Sequence, residues 1–274
     1  MPAYSSTDIP DVITVGRVSV DLYAQEVHAS FTDPQTFRKS LGGSPTNVAV
    51  AAARHGHHAA VVTKVGTDAL GDYVIALLNE WEVDTRYVGR DASALTPVVL
   101  AALAPPEEPQ IIFYRGQAAP DTTVRHDEVP VDDMRGCRVL WMSQGALALG
   151  ATADSSFAWL EMRGRSDDRD TVLDLDYRPT MWSSVHEARA AAQRAIAQSS
   201  VVVGNRTECE MAVGLDEPDA IVDDLLGRGV RLAIVKLGGG GVLVADDSDR
   251  VRINPLDIDV LCGLGAGDAG CRAL

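Results

Sequence analysis

The chain has 274 residues, 46% of them hydrophobic, and a formal net charge of −15. That length allows one large α/β domain or two small ones around a substantial core, and the acidity disfavours nucleic acid or an anionic membrane as a partner. A membrane span and a signal peptide are not expected, since no apolar run reaches about 18 residues and the start is polar, and four cysteines without CxxC spacing read as reduced cytoplasmic thiols.

Residues 1–10 read as a tail. A first strand is expected over 11–15, an alanine-rich helix over 46–55, a strand over 59–65 and an amphipathic helix over 68–81, where Tyr73, Leu77, Leu78 and Trp81 recur at helical spacing. Short strands over 98–103 and 110–114 flank a proline-rich turn. Buried strands over 138–143, 171–175, 200–204 and 231–237 alternate with helices near 155–163, 185–198 and 218–228. A hairpin over 241–245 and 251–254 turns at 246–249. Alternation of this kind implies a mostly parallel sheet covered on both faces. The strand-like stretches within about 17–40 and 96–116 lack helices between them and read as a small β lid.

Several motifs carry candidate chemistry, each beside a plainer reading. Gly42-Gly43-Ser-Pro-Thr-Asn47 lets backbone approach a ligand and offers the Asn47 amide to a polyol; it also suits an ordinary loop and helix start. Asn205-Arg-Thr-Glu208 suits water-mediated Mg²⁺ binding beside nucleotide phosphates, and equally a capped helix start with a surface glutamate. Lys236-Leu-Gly238-Gly-Gly-Gly241 fits a nucleotide or a plain glycine hairpin. In Gly265-Ala266-Gly267-Asp268, small residues at a helix start expose N–H groups to phosphate charge, and the carboxylate can accept a proton from an alcohol. Residues 265–270 also match GxGxxG, but the βαβ unit and acidic residue that a dinucleotide fold needs do not follow. No P-loop pattern occurs. His55, His57 and His58 read as an exposed turn rather than a metal site, and Trp141, Met142 and Trp159 as core.

In their order, the motifs at 42–47, 64–71, 205–208, 236–238 and 265–268 resemble the ribokinase-like, or pfkB, carbohydrate kinases over residues 11–274. The resemblance implies a three-layer α/β sandwich with a mostly parallel central sheet and a small β lid. Segments 16–24, 36–45, 113–115 and 173–182 look most like family members that phosphorylate 5-dehydro-2-deoxygluconate in inositol breakdown, and the last is also similar to 2-keto-3-deoxygluconate kinases. By that resemblance Asp268 is the general base and the N–H groups of Gly265, Ala266 and Gly267 form the anion hole. Asp21, Gly42, Gly43 and Asn47 hold substrate hydroxyls, while Arg115 and Arg178 are candidates for the substrate carboxylate. Asn205, Lys236, Gly238 and Gly241 lie on the nucleotide side, with Glu208 toward Mg²⁺. ATP, Mg²⁺ and a sugar acid are the implied ligands, and lid strands of this kind can pair two subunits into a homodimer. The family's helices after the Gly-Ala-Gly-Asp segment are absent from the sequence, which sets up the expectation of impaired ATP binding, a frayed C-terminus, or a fragment that binds without turnover.

Overall fold

The structure, a computed structural model, describes residue 5 and residues 8–102, 109–116 and 118–255. In chain order the elements are β1 (Val12–Val15), β2 (Ser19–Ala24), β3 (Phe37–Gly42), α1 (Ser44–Arg54), β4 (Ala59–Gly66), α2 (Ala69–Glu80), β5 (Val88–Asp91), β6 (Val98–Ala102) and β7 (Gln110–Tyr114). There follow α3 (Val131–Gly136), β8 (Val139–Ser143), α4 (Gly150–Arg163), β9 (Asp170–Asp174), α5 (Val185–Ile196), β10 (Val201–Asn205), α6 (Arg206–Val213), α7 (Pro218–Gly227), β11 (Leu232–Lys236), β12 (Val242–Ala245) and β13 (Arg250–Ile253).

Among the described residues the large sheet has the order β13-β12-β11-β10-β9-β8-β1-β4-β5. Its pairings are parallel except at β11–β12 and β12–β13. Because successive strand residues point to opposite faces, continuous apolar strands feed two cores. Ala60 and Val62 join Ile13, Val15, Leu140, Met142 and Leu173 in a core closed by α4, α5, α6 and α7. Ala59, Val61 and Val65 face the other way, into a core shared with α1 and α2. Trp141, Val172, Val201, Val203 and Ile234 line the same side further along. Helices therefore pack on both faces, as the alternation predicted, although among the described residues those of the second face, α1 and α2, lie only beside β1, β4 and β8 of this sheet.

The small sheet has the order β3-β2-β6-β7. Its β2–β6 pair is parallel, and the β2–β3 and β6–β7 pairs are antiparallel. Asp68 ties the two sheets together. It caps α2 by accepting from the N–H groups of Leu70 and Gly71, both at 2.9 Å, and its other oxygen accepts from Thr96 N at 2.7 Å, just before β6. Burial pushes the Asp68 pKa up, but the Thr96 and Gly71 donors outweigh it and the net shift is downward.

Trp141, Met142 and Trp159 are core residues. Helix α1 begins at Ser44 rather than 46, because Pro45 fits its first turn. Strand β5, a polar edge strand, and the single-turn α3 carry too little periodicity to stand out in sequence. One expectation needs correction. His55 and His57 are exposed, but His58 is buried, with Nε2 2.9 Å from Asp84 Oδ2. Asp84 also binds Arg86, whose guanidinium reaches the carbonyls of Ser5 and Asp8. His58 is thus a satisfied core histidine that helps fasten the start of the chain.

Candidate functional site

Strand order reverses at β1: the chain goes from β1 to β4 on one side, and later to β8 on the other. In open α/β sheets such a switch point leaves a crevice outside the carboxyl ends of the strands. Three predicted site residues, Arg178, Asn205 and Lys236, lie at that end beside others that the motifs did not single out. Gly16 and Arg17 follow β1, Asp176 and Arg178 follow β9, Asn205 ends β10 and Lys236 ends β11.

On the small-sheet side, Asp21 is oriented by Ser19 Oγ, which donates to it at 2.7 Å. A Cβ at Gly42 would lie 2.1 Å from Asp21 Oδ1, so the bare backbone makes room for that carboxylate. Gly43 has φ +105, and a Cβ there would meet the Arg17 carbonyl at 2.4 Å. Two constraints therefore demand glycine before α1, independent of any ligand. Asn47 lies in the first turns of α1.

The arginines differ in their commitments. Arg115, at the end of β7, donates to Asp121 at 2.7 Å in a buried ion pair. Burial pushes the Asp121 carboxyl up, and Arg115 opposes that. Arg178 is more open; it binds Asp176 at 2.7 Å and reaches within 3.7 Å of Glu208.

Asn205 and Glu208 form a capping box at the start of α6. Glu208 is buried, which pushes its pKa up despite the Asn205 N–H that it accepts. Lys236 Nζ is 3.8 Å from Asp174 Oδ1. Burial pushes Asp174 up to about 7, with Lys236 opposing and Asp176 and Glu208 adding to the rise.

A cleft of about 370 Å³ is lined by Asn205, Arg206, Pro218, Lys236, Gly238 and Arg252, among others. Cβ atoms at Gly238 and Gly239 would meet nothing within 4 Å, so the turn is open to a ligand. Gly241 is different: at φ +83, a Cβ would lie 2.0 Å from the Ile253 carbonyl, so the turn's own packing requires it. The cationic rim and open glycine turn fit a nucleotide. Among the described residues no cluster of three or more His, Cys, Asp or Glu side chains is placed to hold a metal. Glu208, with one oxygen turned to its own helix cap, fits Mg²⁺ held through water rather than a dedicated protein cage.

Gly265, Ala266, Gly267 and Asp268 lie outside the described residues. Sequence reasoning missed Arg17, Asp174 and Asp176. Their signal is position: each lies at or just past the carboxyl end of a buried strand.

The model of the pfkB family carbohydrate kinases matches residues 10–271. Relatives called 5-dehydro-2-deoxygluconokinase include one from Clostridium tetani, 29% identical over 96% of this chain and 79% of that protein. Another, from Bacillus anthracis, is 30% identical over 96% of this chain and 81% of that protein. Among solved structures, a putative ribokinase II from E. coli in complex with ATP and Mg²⁺ superposes with TM-score 0.86 at 19% identity, covering 96% of this chain and 84% of the other. A fructokinase from Halothermothrix orenii gives 0.80 at 24%, covering 96% and 90%. The residues matched by the family model and the shared fold lead to one conclusion: the chain belongs to the pfkB family of carbohydrate kinases.

Proposed function

We propose that this chain transfers the γ-phosphoryl group of ATP to the primary hydroxyl of 5-dehydro-2-deoxy-D-gluconate, as a cytoplasmic enzyme of inositol breakdown. The observation that carries the reading is the placement of Arg178. Its guanidinium, suited to a sugar-acid carboxylate, lies 3.7 Å from Glu208 on the nucleotide side. The names of the relatives support the same substrate.

ATP supplies the phosphoryl group, and Mg²⁺ neutralises its charge. Asp268 accepts the proton of the substrate hydroxyl as the new O–P bond forms and the bond to the ADP leaving group breaks. The N–H groups of Gly265, Ala266 and Gly267 meet the developing charge. Asp21, Gly42, Gly43 and Asn47 hold the sugar hydroxyls, and Arg178 and Arg115 hold the acid end. Asn205, Lys236, Gly238 and Gly241 line the nucleotide side, with Glu208 toward Mg²⁺. The small sheet serves as a lid that excludes water, and its exposed β7, with Ile111, Ile112, Phe113 and Tyr114 open to solvent, suits pairing with a second copy. A second reading, 2-keto-3-deoxygluconate as substrate, is favoured by the segment 173–182.

The test is ADP release with Mg-ATP and each acid, beside an Asp268→Ala variant. Turnover that needs Asp268 and prefers 5-dehydro-2-deoxygluconate supports the proposal. Preference for 2-keto-3-deoxygluconate selects the second reading, and binding without turnover, indifferent to Asp268→Ala, makes the chain a ligand-binding protein.

A further inference from the structure

Arg17 stands where three segments of the site meet. It follows Gly16 at the end of β1, on the switch point of the large sheet. Its carbonyl is the atom against which Gly43 packs, so its backbone is locked to the turn before α1. Its guanidinium lies 5.8 Å from the centre of the Phe113 ring on β7, a strand of the small sheet. The side chain is only 13% exposed, yet among the described residues its one carboxylate contact, with Asp176, is at 3.9 Å, beyond hydrogen-bond reach. Asp176 is already held by Arg178 at 2.7 Å.

The local charge balance differs from that of the molecule as a whole. Around this point Arg17, Arg115 and Arg178 face Asp121, Asp176 and Glu208, three guanidiniums against three carboxylates, in a chain whose net charge is −15. Arg115 is matched by Asp121 and Arg178 by Asp176, which leaves Arg17 sharing a carboxylate. A weakly matched guanidinium, shielded from water and backed by an aromatic face, is poised for an anion. The neighbouring strand end also shows unmet polar capacity. Ser143 Oγ and Gln144 Oε1 are buried without a hydrogen-bond partner among the described residues, and Ser143 Oγ lies 3.0 Å from where a Gly16 Cβ would be.

We propose that Arg17 is a specificity-determining residue that binds the carboxylate of the sugar-acid substrate under the small sheet, and that it sets the preference for an acid over a neutral sugar. The proposal rests on the sugar-acid reading above. Because Arg17 touches both Phe113 and the Asp176 side of the large sheet, the bound carboxylate bridges the two sheets. Arg178 and Arg115, each still paired with its own aspartate, flank the same acid end, and Arg17 supplies the guanidinium least committed within the protein.

The test is titration calorimetry of this chain, without nucleotide, against 5-dehydro-2-deoxygluconate and the neutral primary amide of the same acid. The expected result is at least tenfold tighter binding of the acid by the unaltered chain. Arg17→Gln abolishes that preference while changing the amide affinity less than threefold. Arg17→Met keeps the aliphatic stem against Phe113, is expected to give the same loss, and carries the test should the Gln variant fail to fold. If the variants bind the acid as the unaltered chain does, or lose acid and amide equally, the assignment of Arg17 is overturned and the sugar-acid reading stands. If the unaltered chain shows no preference for the acid, the sugar-acid reading fails, and the assignment of Arg17 with it.

Discussion

Asn205 and Glu208 hold each other reciprocally: the Asn205 side chain accepts from Glu208 N and the Glu208 side chain accepts from Asn205 N, both at 2.8 Å. One glutamate oxygen is thereby committed to the helix start, and the other faces Arg178 at 3.7 Å. The same residue is a helix cap and a candidate for the Mg²⁺ side, and the two roles are separable by substitution. Glu208→Gln retains an acceptor for the cap and loses the charge. We expect it to change unfolding free energy by less than about 1 kcal/mol while raising the Mg²⁺ concentration needed for half-maximal turnover at least tenfold. Urea melts and a Mg²⁺ titration of activity check both halves.

Gly42→Ala tests the backbone beside Asp21. The added Cβ would fall 2.1 Å from a carboxylate oxygen and force that side chain to move. The expected outcome is a rise in KM for the sugar acid of at least tenfold, with KM for ATP changed less than twofold. An unchanged sugar KM removes Asp21 from the substrate.

The Arg115–Asp121 pair joins the end of β7 to the body of the molecule. Removing one partner strands the other in a buried place, at a cost of about 3–5 kcal/mol. Asp121→Asn is therefore expected to lower the urea midpoint strongly, and an Arg115→Met, Asp121→Leu double variant to recover most of the loss. A small effect from Asp121→Asn would show that the pair is hydrated.

Asp84 gives a pH dependence. Burial raises its pKa, but hydrogen bonds from Arg86 and His58 outweigh that and hold it below its usual value. A carboxylate depressed in the folded state contributes stability above its unfolded pKa and loses it as the pH falls through the folded value. Asp84→Asn should cost about 3 kcal/mol at neutral pH, and the gap to the unaltered chain should narrow below about pH 4. Denaturant melts across that range measure it; a gap constant with pH refutes the assignment.

Much of the fold was legible because its signals are local. Apolar runs such as 59–65 and 200–204 mark strands buried on both faces, and the 3.6-residue spacing over 68–81 marks α2. Strand β5 escaped because Val88-Gly-Arg-Asp91 is a short polar edge strand, held by its pairing with β4 rather than by its own pattern. His58 escaped because a histidine beside Gly56 looks like a turn; its partner Asp84 comes from 26 residues away. At the site, the glycine and Asn-x-x-Glu motifs stand out in sequence, since spacing along the chain carries them. Arg17 does not, since one arginine after a strand has no pattern.

The sequence by itself determined the α/β class, the alternation that puts helices on both faces, and the family whose motifs the chain carries, because periodicity and motif spacing are properties of neighbouring residues. Only the tertiary structure decided which charges meet. Asp176 lies closer to Arg178 than to Arg17, Arg115 is occupied by Asp121, and Lys236 stands beside Asp174. Those pairings join residues from different strands and loops, so they arise only once the parallel sheet has brought its carboxyl ends together and burial has made each charge depend on its neighbour.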